Sequence, residues 1–290
     1  MKKIPIYSFI ADARSLGPHW IYSQREIADK FGDVAGYSEP GTSYHPGKRA
    51  GDFTHYGDQA MILLRSLAEH RRFDFESFAN EWFAFWEEPG TQSYRDGATN
   101  VALDYLRGGL PPGQVTSPSN DIAGAARIAP LFLIKWNTDE DLIAAARKQT
   151  AFTHGDPAVV ETAEFFTRVT LAVRAGSGIP EALRDVASLS VWNAIPSEWY
   201  EAAMESSAST ASDSAAIKAH GLTCHVPDAF PALCHLLIRY PDDMMSALTA
   251  NAAAGGDSAA RGLILGMVYG AKQDANPLSD EWFQRLNAHD

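Results

Sequence analysis

An all-α fold, a compact single-domain helical bundle, follows from three features of the 290-residue chain. Apolar residues recur at three- and four-residue intervals, capping residues stand where those patterns begin, and strand patterns are few. Between 58 and 70 ("DQAMILLRSLAEH"), Met61, Leu64, Leu67 and Ala68 fall on one helical face. "NTDEDLIAAARKQ" opens with polar and acidic capping residues before an apolar face. In "DPAVVETAEFFTRVTLAVRAG" (156–176), Asp156 caps, Pro157 suits the first helical position, and Gly176 ends the helix. Ala163, Phe166, Val169 and Val173 form its stripe. Ser279 can cap "LSDEWFQRL". The apolar run "APLFLI" (129–134) is short enough for a strand but lies inside longer helical patterning.

The stretches 32–57, 87–97 and 108–121 are rich in Gly, Pro and turn formers and read as long loops, which on a helical scaffold carry function. "MESSASTASDSAAI" (204–217) reads as a mobile connection. No repeat or linker divides the chain, so residues 1–290 are expected to form one domain.

Composition narrows the function. Hydrophobic residues make up 46%, enough for a sizeable core, and the formal charge of −12 lacks the basic field of a nucleic-acid binder. Two cysteines, Cys224 and Cys234, make no disulfide framework. "MKKIPIYSFIADA" has the outline of a signal peptide, but Pro5, Tyr7 and Ser8 interrupt a short apolar run. With no membrane-spanning segment either, a soluble, cytoplasmic protein without nucleic-acid or membrane partners is expected.

Three stretches can carry chemistry. In "NAAAGGDSAARG" (251–262), Asp257 follows two glycines and opens an apolar helix, either as a plain N-cap or as a ligand to a charged group. In "THYGDQAM" (54–61), Asp58 likewise follows a glycine at a helix start, beside Gln59. If the two ends meet, their carboxylates suit Mg²⁺. In "SPSNDIAGAARIAP" (117–130), the small residues from Ser119 to Ala126 let a diphosphate lie on backbone N–H groups, with Arg127 one turn on. Helix packing with a structural salt bridge for Arg127 accounts for the same residues. The Cys-His pairs at 224–225 and 234–235 do not match zinc spacings.

Five stretches in order carry a resemblance: "IADARSLGPHWIY" (10–22), "YGDQAM" (56–61), "YRDGATN" with "SNDIAGAARIAPL" (94–131), "THGDPAVV" (153–160) and "GGDSAARGLILGMVYGA" (255–271). Together they resemble the ADP-ribosylglycohydrolases, and within them the branch that includes the J1-type crystallins. The resemblance implies an all-helical domain with a cleft for ADP-ribose. In active relatives, two magnesium ions are held there by paired acidic runs. This chain keeps Asp58 and Asp257 but has Gln59 and Ala259 where the second acids stand. The resemblance therefore implies one Mg²⁺ at most, on Asp58, Asp257 and Ser258 with Gln59 nearby. Asp121 stands where many relatives have glycine and is a candidate replacement acid beside Asp58 and Asp257. Ser119, Asn120, Gly124, Arg127, His154, Tyr56, Gln59 and His19 are the implied substrate contacts, with Trp20 and Tyr22 near the cleft. The implied activity is magnesium-dependent hydrolysis of an ADP-ribosyl bond to a protein side chain or small molecule. Two alternatives stand beside it: a non-catalytic nucleotide-binding or crystallin-like protein, and a hydrolase of another N-glycoside.

Overall fold

The central pair of helices is built from opposite ends of the sequence. The computed structural model describes residues 2–273 and 278–287, which form fifteen α-helices and no strand beyond an isolated bridge. In chain order they are α1 (Lys3–Ser15), α2 (Gln24–Phe31), α3 (His55–His70), α4 (Phe75–Glu87), α5 (Gly97–Arg107), α6 (Ala123–Ala126), α7 (Asp139–Thr153) and α8 (Pro157–Ala175). There follow α9 (Ile179–Ala187), α10 (Ser197–Ala208), α11 (Asp213–His220), α12 (Val226–Arg239), α13 (Met244–Ala254), α14 (Ser258–Gly270) and α15 (Asp280–Gln284).

α14 is buried along its whole length and lies against α1 more extensively than any other two helices meet. The reason is in its sequence: Gly262, Gly266 and Gly270 recur every fourth residue and face α1. A Cβ on Gly266 would sit 2.3 Å from the Tyr7 carbonyl oxygen, so only glycine permits this approach. Ser8 Oγ donates to the Leu263 carbonyl at 2.7 Å across the same seam. The remaining helices wrap this pair around one large apolar core.

Local signals fix most boundaries. Thr138 and Asp141 form a reciprocal capping box for α7. Asp156 caps α8, Pro157 follows at its first position, and Gly176 ends it at φ 112°. The α8 stripe of Ala163, Phe166, Val169 and Val173 is buried. Ser279 precedes α15, although its side chain makes no capping bond.

Two expectations are corrected. The segment 204–217 is no loose connection: it completes α10 and begins α11, which Ser212 caps by accepting from Ala215 N. Residues 129–133 of "APLFLI" form a 3₁₀ helix and no strand, in keeping with their helical surroundings. On α3 the buried face is Tyr56, Gln59, Ile62, Leu63 and Leu67, while Met61 and Leu64 are half-buried and Ala68 is exposed. No helix among the described residues is long and apolar enough to cross a membrane.

Candidate functional site

The first residues of α3 lie beside the caps of α5 and α14: His55 stands 3.8 Å from Asp96, and the Tyr56 hydroxyl reaches Asp257. Gly255 and Gly256 turn the chain through φ 78° and 63° into α14. Gly256 N donates to the Ile21 carbonyl and Trp20 N to the Gly256 carbonyl, both at 2.8 Å, while Asp257 N donates to the Leu222 carbonyl at 3.0 Å. The paired glycines thus admit neighbouring backbone; a Cβ on Gly255 would lie 2.3 Å from the Ile21 oxygen.

Asp257 is wholly buried. Its Oδ1 accepts from Ala260 N at 3.4 Å, capping α14, and its Oδ2 accepts from the Tyr56 hydroxyl at 3.3 Å. His19 Nδ1 stands 3.4 Å from Oδ1. The cap and the site carboxylate are therefore one residue.

Its acidic neighbour is Asp121, just ahead of α6. An antiparallel bridge holds this residue in place: Ile122 N donates to the Cys224 carbonyl at 2.8 Å and Val226 N to the Asn120 carbonyl at 3.0 Å. Ala123 N donates to Asp121 Oδ1 at 2.8 Å. Ligand atoms of Asp121, Cys224 and Asp257 lie within 4.8 Å of one another. Burial raises both carboxyls. Asp257 rises to about 6, held back by the Arg261 charge, the Ala260 N–H and the Tyr56 hydroxyl. Asp121 rises well above the carboxylate range, through burial first and then the charges of Asp257 and Asp96. The Cys224 thiol is also raised, by burial and then by the two carboxylates. Asp121 and Cys224 are half-buried, so solvent reaches the pair from that side.

Asp58 is placed elsewhere. Both its oxygens accept from Lys48 Nζ, at 2.7 and 2.8 Å. It lines a cavity of about 320 Å³ with Lys48, Asp52, Met61, Arg65 and Asn287. Helices α3 and α14 do converge, but through Tyr56 and not through Asp58. A magnesium ion shared by Asp58 and Asp257 does not fit these residues, because an ammonium group already occupies the Asp58 carboxylate. Ser258 Oγ, next to Asp257, is buried without a partner.

The remaining expected contacts form the wall behind the carboxyl pair. Arg127 is buried and donates to Gln59 Oε1 and Thr153 Oγ1, while its Nε has no partner. No ion pair holds it among the described residues, contrary to the salt-bridge alternative. Trp82 Nε1 also donates to Gln59 Oε1, at 2.9 Å. His154 Nδ1 meets Thr153 Oγ1 at 2.8 Å, with Nε2 unpartnered; burial and then the Arg127 charge push this histidine well below its ordinary value. Gly124 packs so closely on it that a Cβ would lie 2.7 Å from the ring. Ser119 Oγ accepts from Asp121 N at 3.3 Å, and Asn120 contributes its carbonyl to the bridge.

Sequence reasoning missed His45, His55, Asp96 and Lys48. His19, His45 and His55 each offer a ring nitrogen within 4.8 Å of the others. Trp20, with φ 63°, stacks on His19 at 4.4 Å and meets Tyr44 and Tyr94 edge-on, both at 4.9 Å. Asp96 caps α5 by accepting from Thr99 N at 2.6 Å. Histidines and a lysine dispersed across a long loop carry no spacing signal; only the fold collects them.

Comparison with known proteins agrees with this architecture. Crystallin J1A of Tripedalia cystophora is 22% identical over 97% of this chain and 89% of its own length. A solved structure described as an ADP-ribosylglycohydrolase-related protein complex matches 98% of this chain and 91% of its own with a TM-score of 0.69, at 21% identity. The ADP-ribosylglycohydrolase family pattern matches residues 8–290, and the chain belongs to that family.

Proposed function

We propose that the protein hydrolyses the glycosidic bond between ADP-ribose and an acceptor group, using Asp121 and Asp257 as an acid–base pair. The observation that carries this reading is the juxtaposition of two carboxyls whose surroundings push their proton affinities up unequally. In this reading Asp121, whose carboxyl burial and the neighbouring carboxylates raise well above its ordinary value, is the member of the pair that carries the proton. Asp257, the lower of the two, is then the carboxylate. It takes a proton from water as the water attacks the anomeric carbon, and Asp121 gives its proton to the departing atom. Membership of the family supports the substrate class. The buried Arg127 guanidinium, which has no ion-pair partner within reach among the described residues, favours an anionic ligand.

No step passes through magnesium in this reading. Free ADP-ribose released from an ADP-ribosylated peptide would be measured with and without Mg²⁺. The expected result is Mg²⁺-independent turnover, lost by about 10²- to 10⁴-fold in Asp121→Asn and Asp257→Asn. Turnover that requires Mg²⁺ and survives Asp121→Asn would overturn it. ADP-ribose binding without turnover would place this chain with non-catalytic binders, the role a crystallin relative brings to mind.

A further inference from the structure

We propose that His19, His45 and His55 form a binding site for one divalent transition-metal ion of the zinc type, adjoining the Asp121–Asp257 pair but using neither carboxylate as a ligand. The three imidazoles arrive from three segments: the turn after α1, the long loop before α3, and the first residue of α3. All three are buried. His45 Nε2 and His55 Nδ1 are 3.3 Å apart. Two nitrogens on one tetrahedral zinc, each at 2.0–2.1 Å, are separated by about 3.3–3.4 Å. The observed spacing already matches that edge, and a His19 nitrogen lies within 4.8 Å of both.

The unpartnered atoms say which nitrogens bind. His19 Nδ1 stands 3.4 Å from both Ala259 N and the Asp257 carboxylate; in the tautomer with its proton on Nδ1 the ring donates to Asp257, and Nε2, which has no partner, is the nitrogen left to ligate. On His55, ligation through Nδ1 puts the proton on Nε2. That atom and Asp96 Oδ2 are each buried without a partner, and they stand 3.8 Å apart. A carboxylate behind each of two ligating histidines is the arrangement that fixes imidazole orientation at zinc sites. Burial keeps His19, His45 and His55 below their ordinary proton affinity, so the rings are neutral and their lone pairs available at neutral pH.

Nitrogen donors alone select against Mg²⁺ and favour zinc-type ions. Charges of both signs surround the cluster: Asp96 and Asp257 face it, the Arg127 and Arg261 guanidiniums act on His55 and His19, and Lys48 is already paired with Asp58. Trp20, Tyr44 and Tyr94 supply an apolar wall beside it. Without an ion, the cluster leaves His19 Nε2, His45 Nδ1 and His55 Nε2 all without partners. Ligation resolves the first and gives the third its carboxylate.

The test uses the full chain, stripped with chelator and titrated with Zn²⁺ alone and with Co²⁺ as an absorbing probe. The expected result is about one Zn²⁺ per chain, visible d–d bands from four-coordinate Co²⁺, and a melting temperature that rises with Zn²⁺. His45→Ala, on the loop, should lose all three signals. Asp96→Asn, which keeps the α5 cap, should bind about 10- to 100-fold more weakly. A folded wild-type chain that takes up neither ion overturns the proposal. So does binding that survives His45→Ala and disappears in Cys224→Ser, which would put the metal on Asp121, Cys224 and Asp257.

Discussion

Asp12 shows at the level of one residue how the interior sets chemistry. It is fully buried on α1, and its carboxylate accepts from Thr54 N at 2.8 Å and Thr54 Oγ1 at 2.6 Å. Burial outweighs these bonds and raises its pKa from 3.8 to about 7. The unfolded chain ionises Asp12 first as pH climbs, so this group's contribution to stability falls between about pH 4 and 7 and is level above that window. The difference amounts to about 4 kcal/mol at most. Asp12→Asn keeps both contacts, since the amide NH₂ can donate to Thr54 Oγ1. Its stability relative to wild type, from urea titrations at stepped pH, should therefore rise across that window; a pH-independent difference would show that Asp12 stays ionised. Lys48 poses the complementary case, because it neutralises the largely buried Asp58. Lys48→Met should cost on the order of 2–3 kcal/mol, and Lys48→Met with Asp58→Asn should recover most of it, a coupling that a double-mutant cycle reads directly.

Among the elements, α14 is the one whose sequence leaves least freedom. Gly266→Ala would drive a Cβ into the Tyr7 backbone, so α1 itself must move, at about 1–3 kcal/mol or more. Gly97→Ala on α5, where a Cβ meets nothing within 4 Å, is the control and should be neutral. Equal melting temperatures for the two variants would mean that the α1–α14 seam is not tight. Elements also explain what could be read in advance. The start of α7 and both ends of α8 were legible because Thr138, Asp141, Asp156 and Gly176 act within a few residues of themselves. The face of α3 was not. At about 100° per residue, Met61 and Leu64 lie on the side of the helix opposite Ile62 and Leu63, about 180° away, and the choice of side decides whether Asp58 or Tyr56 meets Asp257. The Ser/Ala run at 204–217 resembles a linker in composition, yet alanine's helix propensity and the Ser212 cap make it helical. His45 and His55 could not be linked to His19 before the loop between them was folded.

For the whole molecule, buried titratable groups of opposite kinds offset one another. His19, His45, His55 and His154 are all held below 6.5, with His45 at about 4. The unfolded chain protonates them first, so their contribution to stability is lost as pH falls below about 6.5. Asp12, Asp121 and Asp257 act the other way, because acidification relieves their burial. The carboxyls therefore offset most but not all of the histidine effect, and the chelator-treated protein should lose stability only gradually between about pH 6.5 and 4.5. It should then lose stability more steeply below about pH 4, where the acids no longer compensate. Thermal melts across that range would show the change in slope, whereas an equally steep decline from about pH 6.5 downward would mean that the carboxyls carry ordinary values.

The seam between α1 and α14 has a further consequence, in time. Ser8 and Leu263, which bond across it, are 255 residues apart. At translation rates of about 5–20 residues per second, that separation takes roughly 13–50 s to synthesise. For most of that time α1, which is almost wholly buried in the finished fold, is without the surface it was shaped to cover. Native docking waits for the last helices of the bundle, and a long-range contact closed this late makes folding slow. In the interim, the apolar residues of α1 are open to a nascent-chain chaperone.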